Sequence, residues 1–92
     1  MDYRVRVIGS QSEGAEVEVF YISNSMQDWL TSCRVDAAVY YNLESARCAI
    51  NQGIESIKQE LDLYCHCKLE EIQIIGEVTT VNVIQTLKPS DI

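Results

Sequence analysis

The residues best suited to chemistry lie together in the stretch DLYCHCKLEE, where Cys65 and Cys67 flank the chain's one histidine, His66. Cysteine and histidine are the usual ligands of structural zinc, and paired cysteines can also exchange thiols and disulfides. A structural zinc ion needs four converging ligands, so this cluster would need a further cysteine. The other cysteines are Cys33 and Cys48.

Helix geometry excludes Cys48 as that further ligand. One amphipathic helix is predicted to carry Cys48 and Cys65, which places them about 25 Å apart along its axis. Cys33 could reach the cluster, but the resulting ligand set would be strained. The Cys-x-Cys spacing also differs from the Cys-x-x-Cys of thioredoxin-like sites. We therefore predict no metal and no cofactor, and interpret Cys65 and Cys67 as small buried side chains entering a strand, with His66 pointing outward.

No other group of residues predicts catalysis. A nucleophilic cysteine needs a base and a site for a developing oxyanion, and the single histidine has no matching spacing. The paired carboxylates Glu16 with Glu18 and Glu70 with Glu71 are typical of exposed charged surfaces. Phosphate-binding loops and metalloprotease motifs are absent from the sequence. We predict no catalytic residues and a protein that is not an enzyme.

The charge balance narrows the class of partner. The 92 residues include 14 acidic and seven basic side chains, giving a net charge of -7. Such a charge repels nucleic acid phosphates and favours a partner with a basic surface. No apolar run approaches the roughly 18 residues of a membrane span, and the N-terminus does not resemble a signal peptide. We predict a cytoplasmic protein that binds neither membrane nor nucleic acid directly and whose four cysteines are reduced.

Alternating residues predict the first two strands. YRVRVIG and EVEVFYI each alternate with the period of a half-buried strand, and GSQSEGA between them is typical of a hairpin loop. If these strands pair, Arg4 and Arg6 face Glu16 and Glu18 on the outer surface. Each such cross-strand pair contributes only about 0.2–1 kcal/mol, but all of them favour this register.

The rest of the chain predicts one long helix with strands on both sides. A short helix over 25–32 follows from Ser25 as a cap, and RVDAAVYY is predicted as a third strand. Asn42 caps the long helix, in which Gly53 is expected to allow close packing on the sheet. The apolar stripe of this helix comprises Leu43, Ala46, Ile50, Ile54, Ile57, Leu61 and Tyr64.

Two more strands follow the long helix and are divided or bent at Gly76, and Pro89 marks a frayed tail. Residues 1–92 are thus predicted to form one α+β domain. Its architecture is a two-layer sandwich, with an antiparallel sheet of about four to five strands packed on one long amphipathic helix plus a short helix.

Two surfaces are candidate partner-binding sites. On the long helix, Glu44, Glu55 and Asp62 fall within a narrow arc and form an acidic ridge; the alternative is a solvated helix face, whose charge Lys58 partly offsets. Phe20 and Tyr40, with Ile22, are expected on the outer sheet face, where aromatic side chains among acids are typical of interaction hot spots. The alternative is that the 25–32 helix covers this face. An uncovered sheet would favour a homodimer.

A second function class uses the basic residues. An oligomeric protein that sequesters a nucleotide signal would need positive and aromatic groups in one pocket. Arg4, Arg6 and Arg34, together with Tyr40, are the residues available for that site.

The chain resembles, at the level of class, the small phage-encoded proteins that antagonise bacterial defence, such as anti-CRISPR proteins. The resemblance lies in its length, its excess of acid, its cysteines expected as thiols and an α+β layout without catalytic motifs. It implies a stoichiometric inhibitor in the host cytoplasm, which presents carboxylates where a nucleic-acid-handling defence complex expects phosphates.

Overall fold

The computed structural model describes residues 2–12, 16–77 and 81–92. Within these ranges the chain forms five strands, one long helix and two short 3-10 turns. The strands are β1 (Asp2–Ser10), β2 (Val17–Ile22), β3 (Leu30–Thr31), β4 (Lys68–Glu77) and β5 (Val81–Leu87), the helix is α1 (Leu43–Cys65), and the turns are Arg34–Asp36 and Pro89–Asp91.

The strands form one antiparallel sheet in the order β3-β2-β1-β4-β5. Helix α1 packs on one face of this sheet, mainly against β1 and β4. The sheet is not closed into a barrel. This arrangement confirms the predicted α+β fold, an antiparallel sheet packed on one long helix.

Helix α1 begins and ends at signals that its sequence carries. The Asn42 side chain accepts a hydrogen bond from the backbone N–H of Ser45 at 2.7 Å, which satisfies a donor that the first turn leaves open. His66 adopts the left-handed conformation (φ 55°), and the next N–H, that of Cys67, donates to the carbonyl of Leu61 at 3.2 Å. The buried residues of α1 recur every three or four positions: Ala46, Ile50, Gly53, Ile57 and Leu61.

The core lies between α1 and the sheet. Val5 and Val7 of β1 and Ile72 and Ile74 of β4 are fully buried beneath the helix, where they meet Ile57 and its neighbours. Burying each such side chain contributes about 1.5–3 kcal/mol. This apolar layer fixes which face of each strand points toward the helix.

The predicted pairing of Arg4 and Arg6 with Glu16 and Glu18 is wrong. In the observed register, Arg6 lies opposite Tyr21 and Glu18 lies opposite Gly9. The two-residue alternation of β2 was recognised, but its faces are reversed.

The reversal of β2 follows from the relative size of two effects. Phe20 lies opposite Val7 and packs against the core, and Ile22 is buried on the same side. Burial of these two apolar side chains outweighs cross-strand ion pairs of about 0.2–1 kcal/mol.

The predicted helix over 25–32 is absent. The hydroxyl of Ser25 accepts from the N–H of Gln27 in a local turn, and Leu30–Thr31 forms β3. The N–H groups of Trp29 and Leu30 donate to the carboxylate of Glu60 at 2.8 and 3.1 Å. These two N–H groups therefore bond to a side chain of α1 instead of to the backbone carbonyls of a local helix.

The predicted third strand over RVDAAVYY is also wrong. It begins with the 3-10 turn Arg34–Asp36, and its backbone then forms two isolated bridges, Ser23 with Ala37 and Tyr3 with Tyr40. The segment therefore runs beside the sheet and delivers the chain to the start of α1.

Gly53 lies against the aromatic ring of Trp29 and not against a strand of the sheet. A Cβ atom at this position would lie 2.3 Å from Cζ3 of Trp29, so the glycine makes room for the indole against α1. The prediction that Gly53 permits close packing is thus correct in kind, but the partner is the loop before β3 and not the sheet.

The C-terminal part of the chain forms the predicted two strands, but Gly76 does not divide them. Gly76 lies inside β4, opposite Tyr3 and Asn82, and the connection at 78–80 is outside the described residues, as are residues 13–15 of the predicted hairpin loop. Beyond β5, Ile92 packs against the core. No helix in the described ranges is both long and apolar enough to cross a bilayer.

Candidate functional site: the acidic ridge and the open sheet face

Three carboxylates form a line on the solvent side of α1. Glu44, Glu55 and Asp62 are all exposed, and at about 100° per residue they fall within about 20° of one another around the helix. The line spans about 27 Å along the axis. We call these three residues the acidic ridge. Arg47 and Lys58 are exposed on the same helix and partly offset its charge.

An apolar groove borders the N-terminal end of the acidic ridge. It lies between α1 and β5 and is lined by Leu43, Glu44, Arg47 and Ile84, among others. Leu43 and Ile84 are 36% and 40% exposed. A side chain of a partner could thus contact apolar surface here next to the Glu44 carboxylate.

The two aromatic candidates do not lie on the outer sheet face. Phe20 packs on the helix side, with its ring centroid 6.3 Å from that of Tyr64. Tyr40 also packs against the helix-side core, where burial raises the pKa of its phenol above the ordinary value. The predicted surface of Phe20, Ile22 and Tyr40 is therefore wrong, because all three face α1 or its borders.

The basic candidates are only partly brought together. Arg4 and Arg6 lie side by side on the sheet face away from α1, and both are half-buried. Arg34 lies in the 3-10 turn after β3, and Tyr40 packs on the other side of the sheet. The structure thus does not gather the pocket that a nucleotide-binding function would need.

The sheet face away from α1 carries apolar side chains that the described part of the chain leaves uncovered. Val17, Val19 and Val83 are 55%, 40% and 47% exposed there. The register places the following residues on this surface, which we call the open sheet face: Arg4, Arg6, Ile8, Val17, Val19, Tyr21, Glu71, Gln73, Ile75, Val83 and Thr86.

A chain of hydrogen bonds crosses the open sheet face. Nε of Arg6 donates to the Gln73 side-chain oxygen at 2.8 Å, and the amide of Gln73 donates to Glu71 at 2.9 Å. The Lys88 ammonium lies 3.3 Å from the same carboxylate. Polar groups at the centre of this face therefore bond to one another, and apolar side chains lie on both sides of them.

The Cys-His-Cys cluster forms a disulfide, so the prediction of four free thiols is wrong. Cys65 and Cys67 are bonded to each other, whereas Cys33 and Cys48 are free and exposed. Cys67 packs on Gly9 of β1, and the Gln11 amide donates to the carbonyl of Cys65 at 2.9 Å. The cluster thus joins the end of α1 to the sheet. His66 is exposed, as predicted.

Thiol counting tests this pairing. In denaturant without reductant, we expect a thiol reagent to label two cysteines per chain, and after reduction four. The closed loop spans only three residues, so reduction is expected to lower the free energy of unfolding by no more than about 1.5 kcal/mol. Labelling of all four cysteines without reductant would contradict the disulfide.

Several residues that organise these surfaces were missed from sequence. The sequence does not predict that the Glu60 carboxylate accepts a hydrogen bond from the N–H of Trp29, because the two residues are 31 positions apart. Tyr21, Val17 and Val19 lie on the face of β2 away from α1, whereas the predicted pairing of Arg4 and Arg6 with Glu16 and Glu18 requires them on the inner face. The available signal in the sequence is that Phe20 and Ile22 are large apolar residues on the other face of β2.

The described residues hold no group of three or more histidine, cysteine, aspartate or glutamate side chains placed to bind a metal ion. Comparison of the chain with protein-family models, curated proteins and solved structures gives no match.

Proposed function

We propose that this protein is a non-enzymatic inhibitor that binds a basic, nucleic-acid-handling complex of host defence through the acidic ridge. The observation that carries the proposal is the alignment of Glu44, Glu55 and Asp62 on one exposed line of a rigid helix. Nucleic acid is also a line of negative charges, and the grooves that bind it are lined with lysine and arginine. The ridge presents the same sign of charge from a protein scaffold.

Two further properties support this mode of binding. The net charge of -7 steers the chain toward basic surfaces and raises its rate of encounter with them. The groove next to Glu44 adds apolar contact area, which gives a partner more than a diffuse charge to recognise. The mimicry needs only one helix face, so the open sheet face remains available for another contact.

Displacement of nucleic acid tests the proposal. Purified nucleic-acid-guided nuclease complexes, each preloaded with a fluorescent target duplex, are titrated with the protein. We expect release of duplex from a susceptible complex at one protein per binding groove. Raising the salt concentration from about 50 to about 200 mM should weaken the inhibition at least about tenfold, because the contact is ionic.

Charge reversal locates the effect on the ridge. The triple variant Glu44→Lys, Glu55→Lys, Asp62→Lys is expected to lose inhibition by about a hundredfold or more. The matched control reverses three exposed acids elsewhere, Glu16, Glu18 and Asp36, and so changes the net charge equally. Equal losses in both variants would show a non-specific charge effect, and unchanged inhibition by the ridge variant would remove the mimicry proposal.

A further inference from the structure

We propose that two copies of this chain pair face to face through the open sheet face, with a twofold axis that runs along β1 and β4. The inference is independent of the acidic ridge, which lies on the other side of the molecule. It rests on three observations: the composition of the face, its area and the placement of its charges.

The composition of the open sheet face suits desolvation. Val17, Val19 and Val83 expose apolar surface, and burial of such surface is the main driving force for association. Three polar side chains between them already bond to one another, since Arg6, Gln73 and Glu71 form one hydrogen-bonded chain. Burying a polar group that already has its partner avoids the cost of an unsatisfied one. These three side chains can thus be buried without a new polar contact across the interface.

The area is close to what a specific dimer needs. Four long strands about 4.8 Å apart, each about seven residues long, present on the order of 450 Å² of projected area per copy. Side-chain relief adds to this value, so two copies would bury close to the roughly 1,000 Å² at which specific interfaces begin. Two sheets stacked about 10 Å apart form an ordinary sandwich core.

The charges of the face complement those of a second copy. A twofold axis along the strands places β1 of each copy over β4 of the other. Arg6 of one copy then lies over the strand that carries Gln73 and Glu71 in its partner, and arginines do not face each other. The same axis lays β2 of one copy over β5 of the other, with Tyr21 at the level of the partner copy's Thr86.

The dimer also keeps like charges apart. Both copies carry -7, so their repulsion is smallest when they approach through a surface with little acid. The open sheet face holds Arg4 and Arg6, two of the seven basic residues, whereas the acidic ridge lies behind the sheet on α1. A face-to-face pair therefore leaves two acidic ridges on opposite outer surfaces.

The test is the solution mass of the wild-type chain and of one matched pair of variants. Analytical ultracentrifugation at tens of micromolar is expected to give twice the chain mass. Val19→Glu adds a carboxylate to the face of each copy and is expected to weaken dimerisation about a hundredfold or more. Because Val19 is exposed in one copy, the variant should keep the circular dichroism spectrum of the wild type.

Gln59→Glu adds the same charge to an exposed position of α1 and is expected to remain dimeric. A wild-type chain that stays monomeric at these concentrations would overturn the proposal and leave the face to a different partner. A dimer that Val19→Glu leaves unchanged would also overturn it, because that result places the contact elsewhere, such as at the β3 or β5 edge.

Discussion

Replacing Gly53 with alanine is expected to lower the free energy of unfolding by about 2 kcal/mol, although alanine is the better helix former. The substitution gains about 1 kcal/mol of helix propensity. It also places a Cβ atom 2.3 Å from Cζ3 and 2.5 Å from Cε3 of Trp29, distances that the ring can relieve only by moving. Overpacking of this kind typically costs about 1–3 kcal/mol, and a displaced indole loses part of its own burial as well.

A double-mutant cycle separates the clash from propensity. In a Trp29→Ala background the ring is gone, so Gly53→Ala should now stabilise the protein by up to about 1 kcal/mol. Gln52→Ala, at the adjacent exposed position of α1, is the control and should change stability by no more than about 0.5 kcal/mol. Urea denaturation followed at the helix band measures all four variants. Stabilisation by Gly53→Ala in the wild-type background would contradict the packing of Trp29 on α1.

Replacing Glu60 with alanine is expected to lower the free energy of unfolding by about 3 kcal/mol. Its carboxylate accepts from the backbone N–H groups of Trp29 and Leu30 at 2.8 and 3.1 Å. Hydrogen bonds to a charged group contribute about 1.5–3 kcal/mol each, and their loss leaves two partly buried donors without an acceptor. Glu60→Gln keeps one good acceptor and is expected to lose about half as much.

Glu55→Ala is the matched control, because it removes an exposed carboxylate from the same helix and should change stability by no more than about 0.5 kcal/mol. Hydrogen exchange adds a local measurement. The amides of Trp29 and Leu30 should exchange much faster in Glu60→Ala, while those of Val5 and Val7 change only with global stability. Equal stability of the Glu60 and Glu55 variants would contradict the contact.

Local patterns predicted the long helix and most strands, because their signals lie within a few residues. The stripe that includes Ala46, Ile50 and Ile57 repeats with the helical period, and Asn42 marks its start. The prediction of a helix from Ser25 to Thr31 is wrong because the conformation of this segment depends on Glu60, some thirty positions away. A helix cap was recognised at Ser25, but no local signal shows that the following N–H groups bond to another element.

How well each surface can be predicted likewise depends on whether its signal lies within a few residues or in a distant contact. The alignment of Glu44, Glu55 and Asp62 follows from helix period alone, so the sequence sufficed. The open sheet face depends on which side of β2 is buried. The predicted side follows from weak cross-strand ion pairs, whereas the observed side follows from the burial of Phe20 and Ile22. The disulfide between Cys65 and Cys67 depends on the left-handed turn at His66, which neither composition nor the Cys-x-Cys spacing indicates.

The position of β1 has a consequence for how the chain acquires its fold. β1 is the central strand, and its pairing with β4 joins residues as far apart as Asp2 and Glu77, 75 positions along the chain. Hairpins β1–β2 and β4–β5 can form locally, but their junction must wait until β4 has been synthesised. Until then, one long edge of β1 has no neighbouring strand and can template aggregation. Pairing between distant segments is slow, so the docking of hairpin β4–β5 on β1 determines how long the nascent chain is exposed to self-association.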